Sequence, residues 1–277
     1  MDYSVIDNSS LLSYLFYPRD YFTSPPENAF DMMTSVEQGV AIHCRFYQSE
    51  RKSGPWILYF HGNGEVVCDY DDLAPYYNHE GINVVVADYR GYGSSTGKPN
   101  FNHVANDAPI IFEAVKNKIE ERDPEYSGLW VMGRSLGSMP ALLLANRYSD
   151  QLKGLIVESG FVSIVKLINH LNLPSPGDLS QLENEAKEKV KQITIPTLVI
   201  HGERDVLVPL DQGEEIYQLV NSEDKRLFTI PRAGHNDIFF IETDNYIKKN
   251  KKVCKQIIFL KCRPLRVTFF DYCRLYR

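Results

Sequence analysis

The sequence lacks any apolar run approaching the roughly 18 residues of a membrane span. Its one early apolar stretch, Leu11-Leu12-Ser13-Tyr14-Leu15-Phe16-Tyr17, is short, and only Asp2 and Asp7 precede it as charged side chains. A secretory leader needs a basic start and small residues at a cleavage site, and neither is visible. A cytoplasmic location is therefore the expectation. Cysteine is sparse: Cys44, Cys68, Cys254, Cys262 and Cys273 are scattered with no C-x-x-C pair, so they read as reduced thiols. No set of ligand-type residues has metal-binding spacing, so neither a metal nor a cofactor is expected. There is no basic surplus either. The formal net charge of −6 argues against nucleic acid or an anionic membrane as partner. No internal repeat is apparent, and nothing indicates an oligomeric state.

What is present is a chain of 277 residues, 43% hydrophobic, enough for one globular domain of roughly 250 residues with a buried core. Apolar, β-branched runs recur along it: Trp56 to Phe60, Val84 to Ala87, Leu129 to Met132, Leu155 to Val157, Thr197 to Ile200 and Leu227 to Ile230. Such runs, apolar on both faces, are what a buried parallel sheet requires. Stretches long enough for crossover helices lie between them, such as Phe101 to Arg122 and Leu210 to Val220. The alternating stretch Ala41 to Tyr47 reads as an antiparallel strand at the sheet edge. The fold class is therefore α/β, a doubly wound, mostly parallel sheet. Residues 161–195 interrupt the rhythm with Pro174-Ser175-Pro176-Gly177 and a charged helical stretch, which is room for a short cap of one helix pair. The domain is drawn over residues 1–260. Residues 261–277 are read as a basic extension of unknown role, because the last thirty residues hold ten Lys or Arg and a single acid, Asp271.

Gly133-Arg134-Ser135-Leu136-Gly137 follows the run ending at Met132 and precedes an apolar helical run, Met139 to Ala145. A strand that turns into a helix between two glycines holds its serine in a tight turn, with the hydroxyl above the sheet. The helix N-terminus beneath favours developing negative charge. A serine hydroxyl needs a base, and the base needs a partner that fixes its tautomer. Both follow in order. His201-Gly202-Glu203-Arg204-Asp205 comes after the run ending at Ile200, and Gly234-His235-Asn236-Asp237 after the run ending at Ile230. His235 is the candidate base and Asp205 the candidate acid, in competition with Glu203 and Asp211. His201 reads as a loop-fixing residue and Asp237 as a helix-starting one.

His61-Gly62-Asn63-Gly64 follows the run ending at Phe60. Small residues there let backbone N–H groups face the cleft as an oxyanion hole, with the Leu136 N–H, just after the serine, as the second donor. Tyr89-Arg90-Gly91-Tyr92-Gly93-Ser94-Ser95, after the strand through Ala87-Asp88, is expected to brace the loop beneath that turn, through its arginine and glycines.

The HGN, DYRGYGSS, GRSLGS, HGERD and AGHND segments, in this order from Trp56 to Tyr246, resemble the α/β-hydrolase superfamily, specifically its small single-domain serine hydrolases. The resemblance implies an esterase, acyl-thioesterase or lipase-like enzyme, less often a peptidase, with Ser135 as nucleophile, Asp205 as acid and His235 as base. Asn63 and Leu136 are the implied oxyanion donors. The expected substrate is a small-molecule acyl ester or thioester, with a medium acyl chain suggested by Phe161, Val165, Leu167, Ile168 and Leu171 in the cap. Two alternatives stand beside this. One is an aminopeptidase-like hydrolase, in which Glu158 would hold the free amine. The other is a ligand-binding member without turnover.

Overall fold

The computed structural model describes residues 1–51 and 53–241. The basic tail and Cys254, Cys262 and Cys273 lie outside the described residues. Eight strands form one sheet: β1 (Ala29–Glu37), β2 (Val40–Tyr47), β3 (Trp56–Phe60), β4 (Asn83–Ala87), β5 (Leu129–Arg134), β6 (Leu152–Glu158), β7 (Thr197–Gly202) and β8 (Lys225–Ile230). Their spatial order is β1-β2-β4-β3-β5-β6-β7-β8. The first three pair antiparallel, and every pair from β4 to β8 is parallel.

Nine helices accompany the sheet among the described residues: α1 (Ser4–Asp7), α2 (Leu12–Leu15), α3 (Ala74–His79), α4 (Phe101–Arg122), α5 (Ser138–Arg147), α6 (Ile164–His170), α7 (Ser180–Lys191), α8 (Leu210–Leu219) and α9 (Ile238–Ile241). None of them is long and apolar enough to cross a membrane. The expected cap is the pair α6 and α7. Of its apolar residues, Phe161, Val165 and Ile168 are buried in the main core and Leu171 is exposed. Burial in that core gives three of them a packing role.

The strands are apolar on both faces because both are covered. Trp56, Leu58 and Phe60 of β3 join one core cluster with residues of α4 to α8, while Ile57 and Tyr59 join a second with Tyr77 of α3 and Ile238 of α9. The same alternation repeats at Val131 against Met132, and at Val157 against Ile156. Such a period-two division of a continuous apolar run is what a sheet between two helix layers produces. Local signals set the helix starts. The Asn100 side chain accepts from the His103 N–H at the start of α4 (2.6 Å), and Asp7 takes the Phe101 and Asn102 N–H groups (2.8 and 2.9 Å), satisfying amides that a helix end leaves orphaned.

One expectation is corrected. The stretch from Ala41 to Tyr47 is antiparallel, but it is the second strand; the edge is β1. β1 has no continuous apolar run, and only Thr34 in it is buried. A half-exposed edge strand shows weak hydrophobic patterning, so it was not legible as one. Gly39, with φ of +76°, makes the tight turn that joins the pair.

The parallel strands all deliver their carboxyl ends to one edge of the sheet, so the loops beginning at His61, Asp88, Ser135, Ser159, Glu203 and Pro231 converge there. The closest approach is at Gly137. A Cβ at Gly137 would sit 2.0 Å from the Phe60 carbonyl oxygen and 2.8 Å from that of His61. Both neighbours are backbone. Gly137→Ala is expected to lower the unfolding free energy by about 3 kcal/mol or more, measured by urea denaturation.

Candidate active site

β5 ends at Arg134, a single 3-10 turn spans Ser135–Gly137, and α5 begins at Ser138. Ser135 has a φ of 50°, a left-handed conformation that costs a non-glycine residue on the order of 1 kcal/mol or more. Two contacts hold it. The Ser138 hydroxyl donates to the Ser135 carbonyl oxygen (2.7 Å), and the Phe161 N–H donates to the Ser138 hydroxyl (3.2 Å). Gly133 allows the helix to close on the strand, since a Cβ there would lie 2.1 Å from the Gly137 oxygen.

The structure brings Ser135, His235 and Asp205 together. His235 Nε2 lies 3.0 Å from Ser135 Oγ, and His235 Nδ1 lies 2.7 Å from Asp205 Oδ2. The ionised carboxylate can only accept, so Nδ1 carries the proton and the Nε2 lone pair faces the serine hydroxyl. The other Asp205 oxygen, Oδ1, accepts from the Leu207 and Val208 N–H groups (3.0 and 2.8 Å). Burial raises the Asp205 carboxyl, but the hydrogen bond and charge of His235 and the Val208 N–H outweigh it and hold it below the usual carboxylate range.

The competitors lie elsewhere. Glu203 accepts from the Thr229 hydroxyl (2.9 Å), and Asp211 sits in the first turn of α8 beside Gln212. His201 is fully buried, its Nε2–H donating to the Val208 carbonyl oxygen at 2.7 Å. Burial pushes its imidazole down, so it is neutral and fixes the turn that carries Asp205. Asp237 accepts from the Gly234 N–H (2.6 Å) and thereby closes the loop around His235.

In the turn after β3, the amides divide their labour. The Gly62 N–H donates to Glu65 Oε2 (2.8 Å). Among the described residues the Asn63 N–H has no partner within the protein. Leu136 stands in the first turn of a helical segment, where an amide has no intrahelical acceptor. The Asn63 side chain is engaged at both ends. Its Oδ1 accepts from the Tyr17 N–H (2.9 Å) and the Tyr92 hydroxyl (2.6 Å), and its Nδ2 donates to the Leu15 carbonyl oxygen (3.1 Å). These contacts hold the carboxamide in place and leave the backbone N–H of Asn63 to meet a ligand.

The bracing of this turn differs in its residues from the expectation. Arg90 pairs with Asp107 and Glu37, tying α4 to β1. The turn is held instead by Tyr89, whose hydroxyl donates to the His61 carbonyl oxygen (2.7 Å), by Tyr92, and by Asp88. Asp88 is fully buried. It accepts from His61 Nε2 (3.1 Å) and the Val67 N–H (2.9 Å), and its Oδ2 lies 3.3 Å from His43 Nδ1. Burial disfavours an imidazolium at His61, but the Asp88 carboxylate and the Gly62 carbonyl oxygen outweigh it and raise its pKa.

Three contributors gave no sequence signal: the strap formed by residues 15–19, the Asn63 carboxamide, and Arg134 inside the pentapeptide. Arg19 also reaches over the turn to the Gly64 carbonyl oxygen (3.1 Å) and Asp69 (2.6 Å). Each of these contacts joins residues more than twenty positions apart, so no local spacing reveals it. Glu158, the candidate amine holder, accepts from Arg134 Nε at 3.1 Å and is almost fully buried.

Similarity to known proteins agrees with this architecture. The Hydrolase_4 family, described as serine aminopeptidase, S33, matches residues 52–179 and 176–244. The protein YfhR of Escherichia coli is 27% identical over 237 residues, which is 82% of this chain and 81% of YfhR. Protein bem46 of Schizosaccharomyces pombe is 30% identical over 196 residues, covering 69% of this chain and 64% of bem46. The Pyrococcus furiosus esterase Pf2001 superposes with a TM-score of 0.70 at 17% identity, over 87% of this chain and 98% of the esterase. A Paleococcus ferrophilus monoacylglycerol lipase superposes with a TM-score of 0.62 at 18% identity, over 78% and 99%. With a sheet of this order and a family match across most of its length, the chain belongs to the Hydrolase_4 family of the α/β-hydrolase superfamily.

Proposed function

We propose that this protein is a serine hydrolase that cleaves carboxylic esters or thioesters of small molecules through an acyl-enzyme. The observation that carries the reading is the hydrogen-bonded chain Asp205–His235–Ser135, with bonds of 2.7 and 3.0 Å. Ser135 Oγ attacks the acyl carbonyl carbon while its proton passes to His235 Nε2. Asp205 keeps Nδ1 protonated and stabilises the imidazolium that forms. The carbonyl oxygen, now negative, is received by the Asn63 and Leu136 N–H groups, each worth about 3 kcal/mol in such a site. The bond to the leaving oxygen or sulfur breaks, and that atom takes the proton from His235. Water then attacks the acyl-serine with His235 again as base, releasing the acid.

An aminopeptidase needs a carboxylate free to hold the substrate's amine. Glu158 is committed to Arg134, which favours the ester reading. A fluorophosphonate probe is expected to label the wild type and not the Ser135→Ala variant, and p-nitrophenyl esters and acyl-thioesters are expected to be turned over faster than peptide amides. An unlabelled wild type would make the protein a ligand-binding member. Faster cleavage of amino-terminal peptide bonds would make it a peptidase.

A further inference from the structure

The side chain between Gly133 and Ser135 has no assigned task in the chemistry above, yet it is the most highly connected cation near the site. Strand alternation decides where it points. Gly133 faces α5, its α-carbon packed against Gly137 and Ala141. Met132, one position earlier, belongs to the opposite core cluster, so Arg134 projects to that side at the carboxyl edge of the sheet. There the guanidinium is nearly enclosed, its side chain 12% exposed.

Its donors reach two loops and the end of a strand. Nη1 pairs with Glu65 Oε1, in the loop after β3. Nε donates to Glu158 Oε1 at the end of β6 (3.1 Å). Nη2 donates to the His235 carbonyl oxygen (2.8 Å) and to Asn236 Oδ1 (2.9 Å), in the loop after β8. Glu65 carries the connection further, because its Oε2 accepts from the Gly62 N–H (2.8 Å) and the Tyr70 hydroxyl (2.7 Å). The guanidinium also packs directly on the turn, since a Cβ at Gly62 would lie 2.5 Å from Arg134 Nη1. Burial disfavours the charge on Arg134, but the Glu65 and Glu158 carboxylates outweigh it and keep the group protonated.

We propose that Arg134 is a positioning residue that locks the oxyanion turn and the histidine loop to the residue adjoining the nucleophile, so that one planar group sets the spacing of all three. The inference rests on the serine-hydrolase reading. Burying a guanidinium between two carboxylates is a poor source of stability compared with apolar packing. What it supplies is direction, since five N–H donors in a rigid fork can meet acceptors from three separate segments at fixed angles. An ammonium on a flexible stem keeps the charge and loses the angles. A neutral amide loses both, and it leaves the Glu65 and Glu158 charges unbalanced beside the His235 loop, which favours the imidazolium over the free base. Arg134 touches no reacting atom. Its effect should therefore appear in transition-state stabilisation rather than in substrate affinity.

The test compares Arg134→Gln and Arg134→Lys with the wild type on a soluble p-nitrophenyl ester. The readouts are kcat, KM, the pH profile of kcat/KM, inhibition by phenylboronic acid as an oxyanion mimic, and urea stability. For Arg134→Gln, kcat is expected to fall about 10- to 100-fold with KM within about threefold. Boronate affinity should weaken in parallel. The acid limb of kcat/KM is expected to move up by about half a pH unit or more. Arg134→Lys is expected to lose kcat with the acid limb in place. If Arg134→Gln does not fold, Arg134→Lys alone decides through its kcat and boronate affinity. Wild-type kcat in the variants that fold overturns the inference. A change confined to KM overturns it as well, because Arg134 would then hold substrate. Persistent turnover by Ser135→Ala refutes the hydrolase reading itself; an inactive Ser135→Ala beside fully active Arg134 variants refutes only the positioning role.

Discussion

Ser135→Ala is expected to lower ester turnover by about 10⁴-fold or more, equivalent to roughly 5.5 kcal/mol in the barrier. The fold should survive, because the serine hydroxyl contributes one hydrogen bond, to His235. The elbow is secured by groups that the substitution leaves alone, namely the Ser138 hydroxyl, Gly133 and Gly137. A residual rate above the uncatalysed reaction is expected, since amide donors and substrate binding persist without a nucleophile. Steady-state kinetics on the purified variant, with circular dichroism as the folding control, checks both statements. Undiminished turnover would remove Ser135 from the chemistry.

Asp205→Asn should cost almost as much, on the order of 10⁴ in kcat, and the geometry says why. Oδ1 of Asp205 receives two backbone N–H groups, from Leu207 and Val208. An asparagine at this position must keep its carbonyl oxygen on those donors. Its NH₂ then replaces Oδ2 and faces His235 Nδ1, which has to accept. The ring proton moves to Nε2, the atom that should take the proton of Ser135, and the base is lost. Glu203→Gln and Asp237→Asn disturb no atom of that chain and are expected to keep most activity. A pH dependence follows from the same contacts. The Asp205 carboxyl is held below its ordinary value in the fold, so its contribution to stability is present above the unfolded pKa and is lost as the pH falls through the folded one. Acid unfolding monitored for wild type and Asp205→Asn should show this contribution only in the wild type.

How much of this was legible in the sequence depends on the range of the interaction involved. The five buried parallel strands, β3 to β7, announce themselves as apolar runs, because a strand covered on both faces has no polar position to interrupt it; β8, the other edge, in which only Ile230 is buried, shows only the short run from Leu227 to Ile230. Ser135, Asp205 and His235 were legible through their place just after such runs. β1 was not, since its side chains are half exposed and its identity comes from pairing with β2. The division of labour in the DYRGYG segment was misjudged for a related reason. Arg90, the conspicuous residue, turns to α4, while the tyrosines hold the turn. Side-chain direction is set by the loop's backbone path, which composition does not encode. Arg134 was hidden in plain view as the variable letter of a motif, and its partners Glu65, Glu158 and His235 are 69, 24 and 101 positions away.

The engagement of Leu15 and Tyr17 by Asn63 carries a thermodynamic consequence. Under the proposed reading, in which the Asn63 amide receives an oxyanion, these contacts tie the order of the strap to that of the turn, and such a coupling is reciprocal. A ligand that favours the assembled turn must tighten the strap by the same factor by which the docked strap tightens the ligand. An oxyanion mimic should therefore slow hydrogen exchange at the Tyr17 amide, whose donor is held by Asn63 and Tyr92. Displacing the strap is likewise expected to loosen the turn that carries the Asn63 amide, without touching Ser135.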